Sequence, residues 1–204
     1  MTHSRQRELA IVILAGGHSS RFGSDKAQAL IEGRRSIDRV VSSALGVTSL
    51  VAVVGGEGSL PVGVNLRIPD FVPGGGPVQA ILGAFRALPG SDLLVVACDL
   101  PVVTTQHLAF LARGLPVGIE ARVPRGSEYP MPLSALYGWE CAATFERCWV
   151  DGLRSMREVL EHLHVEWVGF DALRAGGMDP NLLDDFDTPK DLARILKMAG
   201  KRED

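Results

Sequence analysis

The apolar run Ile11-Val12-Ile13-Leu14 leads into Ala15-Gly16-Gly17-His18-Ser19-Ser20-Arg21-Phe22-Gly23-Ser24-Asp25-Lys26, a glycine turn followed by two cations at short spacing. Glycine lets the main chain approach an anion with no Cβ in the way, and successive N–H groups form an anion nest. Arg21 and Lys26 supply charge that offsets a polyphosphate. The turn therefore points to a nucleoside triphosphate. The Walker order Gly-x-x-x-x-Gly-Lys-Ser/Thr is absent, and so is a Gly-x-Gly-x-x-Gly opening onto a helix. An ordinary glycine-rich strand-to-helix turn would need fewer of these residues than are present.

A second constellation, Ala97-Cys98-Asp99-Leu100-Pro101, follows the apolar run Leu93 to Val96. In an open parallel sheet the ligand crevice lies at the carboxyl ends of the strands, so both segments are expected at one edge. A carboxylate beside a polyphosphate repels it unless a cation lies between, which makes Asp99 a candidate Mg²⁺ ligand. The other reading is a turn aspartate before Pro101. His3, His18, His107, His162 and His164 form no metal-spaced pair beside a matching carboxylate, and no Ser-His-Asp arrangement is supported. Cys98, Cys141 and Cys148 are odd in number and lack Cys-x-x-Cys spacing, so they read as core thiols and not as a disulfide framework or zinc site.

The elements that must position these groups follow from hydrophobic pattern. Strands are expected at Leu9 to Leu14, Leu50 to Val54, Asn65 to Ile68 and Leu93 to Ala97. Less regular strands are expected within Val117 to Val123 and Met131 to Tyr137. Helical periodicity marks Ser36 to Leu45, Val78 to Leu88 (entered through Gly74-Gly75-Gly76-Pro77), Thr105 to Arg113, Trp139 to Trp149, Ser155 to Leu163 and Pro189 to Met198. Alternating βα units imply a three-layer α/β/α sandwich with a mostly parallel sheet. The 204 residues, without repeat or linker, are expected to form a single domain. A net charge of −3 with mixed signs gives no basic stripe for nucleic acid or a membrane surface, so small anionic ligands are expected. A polar start and the absence of a membrane-length apolar run give a cytoplasmic expectation.

From Leu14 to Lys26 the chain resembles the nucleotidyltransferase signature Leu-Ala-Gly-Gly-x-Ser-x-Arg-Met/Phe-Gly-x-Asp-Lys, in particular that of the molybdenum cofactor guanylyltransferase family. The resemblance continues through Cys98-Asp99-Leu100-Pro101, Gly76-Pro77, Pro132 to Tyr137, Gly152-Leu153-Arg154-Ser155 and Asp187 to Leu192, and so spans most of the chain. It implies a Rossmann-like nucleotidyltransferase fold and transfer of GMP from Mg·GTP to the terminal phosphate of molybdopterin, bare or metal-loaded, with release of pyrophosphate. GTP and the molybdenum cofactor are the implied ligands; cofactor-biosynthesis proteins or molybdoenzyme chaperones are the implied further partners. Carried onto this sequence, it makes Arg21, Lys26 and Asp99 catalytic. It gives nucleotide contacts to Leu14, Ala15, Gly16, Gly17, Lys26, Asp70 and Asp99, the metal to Asp99 with Asp187, and the acceptor to Arg154 and Asp185.

The departures bear on those assignments. Asp185-Phe186-Asp187-Thr188-Pro189 stands where the family usually has Asn-x-Asn-Thr-Pro, so Asp187 either joins Asp99 on the metal or caps the last helix with Thr188. Asp70 is either a nucleotide contact or a solvated loop residue. Gly55-Gly56 replaces a family asparagine, so a contact there would come from the backbone; Ala80 and Met131 also differ from the pattern. Gly16-Gly17 follows the guanine branch and not the Leu-Ala-Ala-Gly of the cytidylyl branch. The alternatives are a cytidylyl- or sugar-phosphate nucleotidyltransferase, or a non-catalytic nucleotide-binding protein of cofactor handover.

Overall fold

Residues Leu9–Leu14 form β1, buried from Ala10 to Leu14 on both faces, which is why the sequence runs apolar without alternation. The computed structural model describes residues 7–16, 25–64, 66–72, 74–126, 129–186 and 188–200. After a 3-10 turn at Lys26–Gln28 come a small hairpin of β2 (Leu30–Ile31) and β3 (Arg34–Arg35), then α1 (Ser36–Leu45), β4 (Val51–Val54) and β5 (Leu66–Ile68). The chain continues through α2 (Gly76–Ala87), β6 (Asp92–Ala97), α3 (Thr105–Leu111), β7 (Ala121–Arg125), β8 (Ser134–Tyr137) and α4 (Cys141–Val150). It ends in α5 (Met156–Leu160), β9 (Val165–Gly169), α6 (Phe170–Ala175), a 3-10 turn at Pro180–Leu183 and α7 (Pro189–Gly200).

Seven strands make one sheet in the order β5-β4-β1-β6-β8-β7-β9. All neighbours are parallel except that β8 runs antiparallel to both β6 and β7. Helices α2, α4 and α5 cover the face that carries Ala10, Val12 and Leu14, with Phe85, Phe145 and Tyr137 packed ring to ring beneath them. Helices α1, α3 and α6 cover the face that carries Ile11 and Ile13. This is the three-layer, mostly parallel α/β architecture expected from the pattern. The last helix, α7, adds a satellite cluster in which Phe186 and Ile195 pack with Ile31 of the hairpin. No helix among the described residues is long and apolar enough to cross a membrane.

Element boundaries shift where local bonds outweigh periodicity. Trp139 stays outside α4 because its N–H donates to the Asp92 carboxylate at 2.9 Å. The strand expected from Val117 starts at Ala121, since Ile119 N–H closes a turn onto Pro116 O. A capping box of Ser155 and Glu158 starts α5, which ends at Leu160 and not at Leu163. Strand β9 and helix α6 are additions to the expected order. Lying at the sheet edge and bearing Glu166 and an exposed Trp167, β9 lacks the apolar run that marks the inner strands.

Register sets up the site. Ile68 pairs with Val54, Val54 with Leu14, and Leu14 with Ala97, forming one row across β5, β4, β1 and β6 at their carboxyl ends. The residues that follow this row are thereby brought side by side.

Candidate active site

Beyond that row stand Asp70, Gly55-Gly56, Ala15-Gly16 and Cys98-Asp99. The main chain ties them together: Ala15 N–H donates to Val54 O at 2.9 Å, Cys98 N–H to Leu14 O at 3.1 Å, and Gly55 N–H to Ile68 O at 2.9 Å. Asp70 lies against Gly16, where a Cβ would stand 2.9 Å from its Oδ2. Gly55 has φ +69°, and a Cβ there would come within 2.7 Å of the same oxygen. At Gly55 the positive φ and the close Gly16 backbone favour glycine, whereas a Cβ at Gly16 would need only the exposed Asp70 carboxylate to shift. Leu14, Ala15, Gly16 and the exposed Asp70 are therefore brought together at this edge.

Lys26 enters from the 3-10 turn, which Asp25 caps by accepting the Ala27 N–H at 2.9 Å. Its Nζ donates to Asp99 Oδ2 at 2.9 Å, and both side chains are about one-seventh exposed, at 14% and 16%. Solvent and salt screen such a pair much less than a surface pair. The ammonium also lies 5.7 Å from the centroid of the Phe186 ring, so the segment after the 180–183 turn reaches the site. Asp185, next to Phe186, is exposed. Gly17, His18, Arg21 and Asp187 fall outside the described residues.

Helix α1 holds the Asp99 turn from behind. Ser36 Oγ donates to Cys98 O at 2.6 Å, Arg39 Nε to Pro101 O at 3.1 Å, and Ser43 Oγ to Val103 O at 2.8 Å. Motif reading missed these three residues, although their i, i+3, i+7 spacing puts them on one helix face and was open to a search for a polar stripe. Phe186 and Arg67, whose guanidinium binds the loop after β4, left no comparable signal.

Arg154 stands apart from this cluster. It lies in the connection between α4 and α5, the two helices that share a sheet face with α2. There the Arg154 guanidinium stacks 3.6 Å above Trp149 and donates to Trp149 O at 2.9 Å and Leu153 O at 3.0 Å. Its partners among the described residues do not include Lys26 or Asp99. Arg125, at the end of β7, similarly lies 5.3 Å from the Trp167 ring.

Burial, reinforced by the Asp99 and Asp25 charges, pushes the Cys98 thiol up to about 12 despite the nearby Lys26. It is a protonated core group and not a nucleophile. Cys141 and Cys148 are also free, buried and raised, chiefly by desolvation. The reading of all three as core thiols holds. His107 is likewise structural, bridging Thr104 Oγ1 at 2.7 Å and Asp179 O at 3.0 Å.

The donor set can be tested against Mg²⁺. The described residues hold no cluster of three or more acidic, His or Cys side chains. One carboxylate at a phosphate-binding edge still fits Mg²⁺, which is typically held by one or two carboxylates plus phosphate oxygens and water. Asp99 meets that description, and Lys26 already gives it a cationic partner.

The family model of the MobA-like NTP transferase domain matches residues 11–167. The chain belongs to this family. Within the MobA-like family it is 32% identical over 194 residues to a probable molybdenum cofactor guanylyltransferase of Pelotomaculum thermopropionicum, covering 92% of each chain. It is 33% identical over 206 residues to the molybdenum cofactor guanylyltransferase of Sinorhizobium fredii, covering 95% of this chain and 93% of that one. The crystal structure of molybdopterin-guanine dinucleotide biosynthesis protein A from Archaeoglobus fulgidus superposes with a TM-score of 0.77 at 26% identity, covering 94% of this chain and 99% of that one. The MobA-like match takes in Lys26, Asp70, Asp99 and Arg154 and ends before Asp185 and Phe186.

Proposed function

We propose that this MobA-like nucleotidyltransferase transfers GMP from Mg·GTP to the terminal phosphate of molybdopterin, bare or metal-loaded, giving the guanine dinucleotide cofactor and pyrophosphate. The observation that carries the reading is the shielded Lys26–Asp99 pair set directly beside the Ala15–Gly16 turn, at the edge where this fold binds nucleotides. The names of the relatives supply guanine and the acceptor class; the cytoplasmic setting belongs to the same proposal.

The chemistry asks little of a proton shuttle. A phosphate monoester has a second pKa of about 6, so at neutral pH the acceptor is already an anionic nucleophile. Its oxygen forms a bond to the α-phosphorus of GTP while the bond from that phosphorus to the α,β-bridging oxygen breaks, and pyrophosphate carries away the electron pair. The protein's task is to bring two anions together and offset charge on the α-phosphoryl and the leaving group. In this reading the Ala15–Gly17 backbone contacts the nucleotide, Arg21 takes the leaving phosphates, and Lys26 turns from Asp99 to the phosphates at the reacting centre. Asp99 would hold Mg²⁺, with Asp187 as its second candidate ligand; when bound, the ion offsets negative charge on the phosphate oxygens. Arg154 and Asp185 are the proposed acceptor contacts.

The test is a panel of the four nucleoside triphosphates with and without molybdopterin, read by product mass and pyrophosphate release. A guanylylated product with GTP and acceptor together is expected. A cytidylylated product would move the chain to the cytidylyl reading, and tight nucleotide binding without turnover would make it a handover protein.

A further inference from the structure

The loop after β4 is held by one side chain that no motif includes. Arg67, on β5, donates from Nη1 to Gly55 O at 3.1 Å and to Gly56 O, and from Nη2 to Gly58 O. Three carbonyls of a four-residue segment therefore converge on a single planar guanidinium, whose fixed fork of donors suits such a cluster. Three of those four residues are glycine, the residue that gives up most conformational freedom when ordered, so the segment has little intrinsic reason to keep one shape. From its outer side, Arg35 Nη1 binds Ser59 O at 2.9 Å, with Arg35 fixed in turn by both oxygens of Asp38.

The segment also forms a wall of the candidate site. A Cβ on Gly55 would stand 3.1 Å from Gly16 Cα and 2.7 Å from Asp70 Oδ2, and one on Gly56 would stand 3.0 Å from Ala15 Cβ. It thus lies directly on the first residues of the phosphate turn, on the β4–β5 side, while Lys26 and Asp99 lie on the β6 side. A nucleotide with its phosphates at Lys26 and Asp99 can extend its nucleoside over this wall, where backbone groups and the Asp70 carboxylate are offered and the Gln28 amide lies against Gly58. We infer that Arg67 is a positioning residue for nucleoside recognition: by gathering the carbonyls of Gly55, Gly56 and Gly58 it fixes the backbone wall that, with Asp70, discriminates between bases. The inference rests on the nucleotide reading above and adds a residue to it.

The experiment compares wild type, Arg67→Met and Arg67→Lys by calorimetry with Mg·GTP, Mg·ATP, Mg·CTP and Mg·UTP, alongside thermal unfolding and steady-state kinetics. Arg67→Met keeps the aliphatic stem and loses every donor. It is expected to raise the dissociation constant of the nucleotide that wild type prefers by about tenfold or more, as for loss of charged hydrogen bonds. Discrimination among the four bases should shrink, and KM should rise with kcat changed less. Arg67→Lys should fall between. A folded Arg67→Met or Arg67→Lys protein with wild-type discrimination overturns the inference, even if its unfolding temperature drops. Should Arg67→Met fail to fold, Arg67→Lys decides in the same terms. If wild type prefers a nucleotide other than GTP, the guanylyl reading falls while the variant-to-wild-type comparison still tests Arg67.

Discussion

On the β5-β4-β1-β6 side of the sheet edge the candidate residues touch one another. Asp70 rests on Gly16 and Gly55, and Lys26 is bonded to Asp99 with both side chains largely shielded from solvent. Away from that side, two exposed cations rest on aromatic rings, the candidate Arg154 on Trp149 in the connection between α4 and α5, and Arg125 on Trp167 at the end of β7. The first side is preorganised by strand register and main-chain bonds. The second region presents exposed cations, each held on its own aromatic ring, Arg154 also by the Trp149 and Leu153 carbonyls. Under the function proposed above, the nucleotide meets Lys26 and Asp99 and the acceptor meets Arg154.

The largest expected effect lies on the preorganised side. Asp99→Asn and Lys26→Met should each lower turnover by about a hundredfold or more, the usual magnitude for removing one preorganised electrostatic group. The double variant should be little worse than the worse single, because the two side chains act as one pair. Steady-state kinetics check this, and independent, multiplying losses would break the idea of a coupled site. Chelation with EDTA should abolish turnover while leaving the unfolding temperature unchanged; activity that survived full chelation would remove the metal role from Asp99.

Stability should follow the same asymmetry. Ile13→Ala, at a fully buried position in β1, should cost about 3 kcal/mol in denaturant unfolding. Trp167→Ala on edge strand β9, where the side is 43% exposed, should cost about 1 kcal/mol. Equal losses would erase the distinction between the two halves.

A smaller effect concerns Cys98. Its thiol is pushed from an ordinary value of 9.0 up to about 12, chiefly by burial. Above pH 9 the unfolded chain releases this proton and the folded one keeps it, so the unfolded state binds fewer protons and stability falls as pH rises from 9 toward 12. Cys98→Ala should flatten that part of the stability profile. Alkylation at pH 8 should be slow in the native protein and fast once it is unfolded.

The same asymmetry decided what could be read in the sequence. The runs at Leu9 to Leu14 and Leu93 to Ala97 are legible because strands covered on both faces need apolar residues at every position. Their carboxyl ends then place Gly16 and Asp99 together by topology alone. Strand β9 was not legible, since an edge strand with Glu166 and Trp167 satisfies only one face, and α6 follows it without a recognisable start signal. At the site, glycine and charge at fixed spacing announced Lys26 and Asp99. The groups that hold them are visible only in three dimensions: Ser36 on Cys98 O, Phe186 beneath Lys26, and Arg67 on the glycine loop each depend on contacts between residues distant in sequence or on backbone carbonyls that carry no residue code.

The proposal that Asp99 serves the nucleotide and Arg154 the acceptor is tested most directly by calorimetry of Mg·GTP and of molybdopterin binding to Asp99→Asn and Arg154→Ala. The expected pattern is crossed. Asp99→Asn should weaken Mg·GTP and leave molybdopterin binding near wild type. Arg154→Ala should weaken molybdopterin by about tenfold, the scale of a lost charged contact, and leave Mg·GTP unchanged. Both variants weakening the same ligand would contradict that assignment.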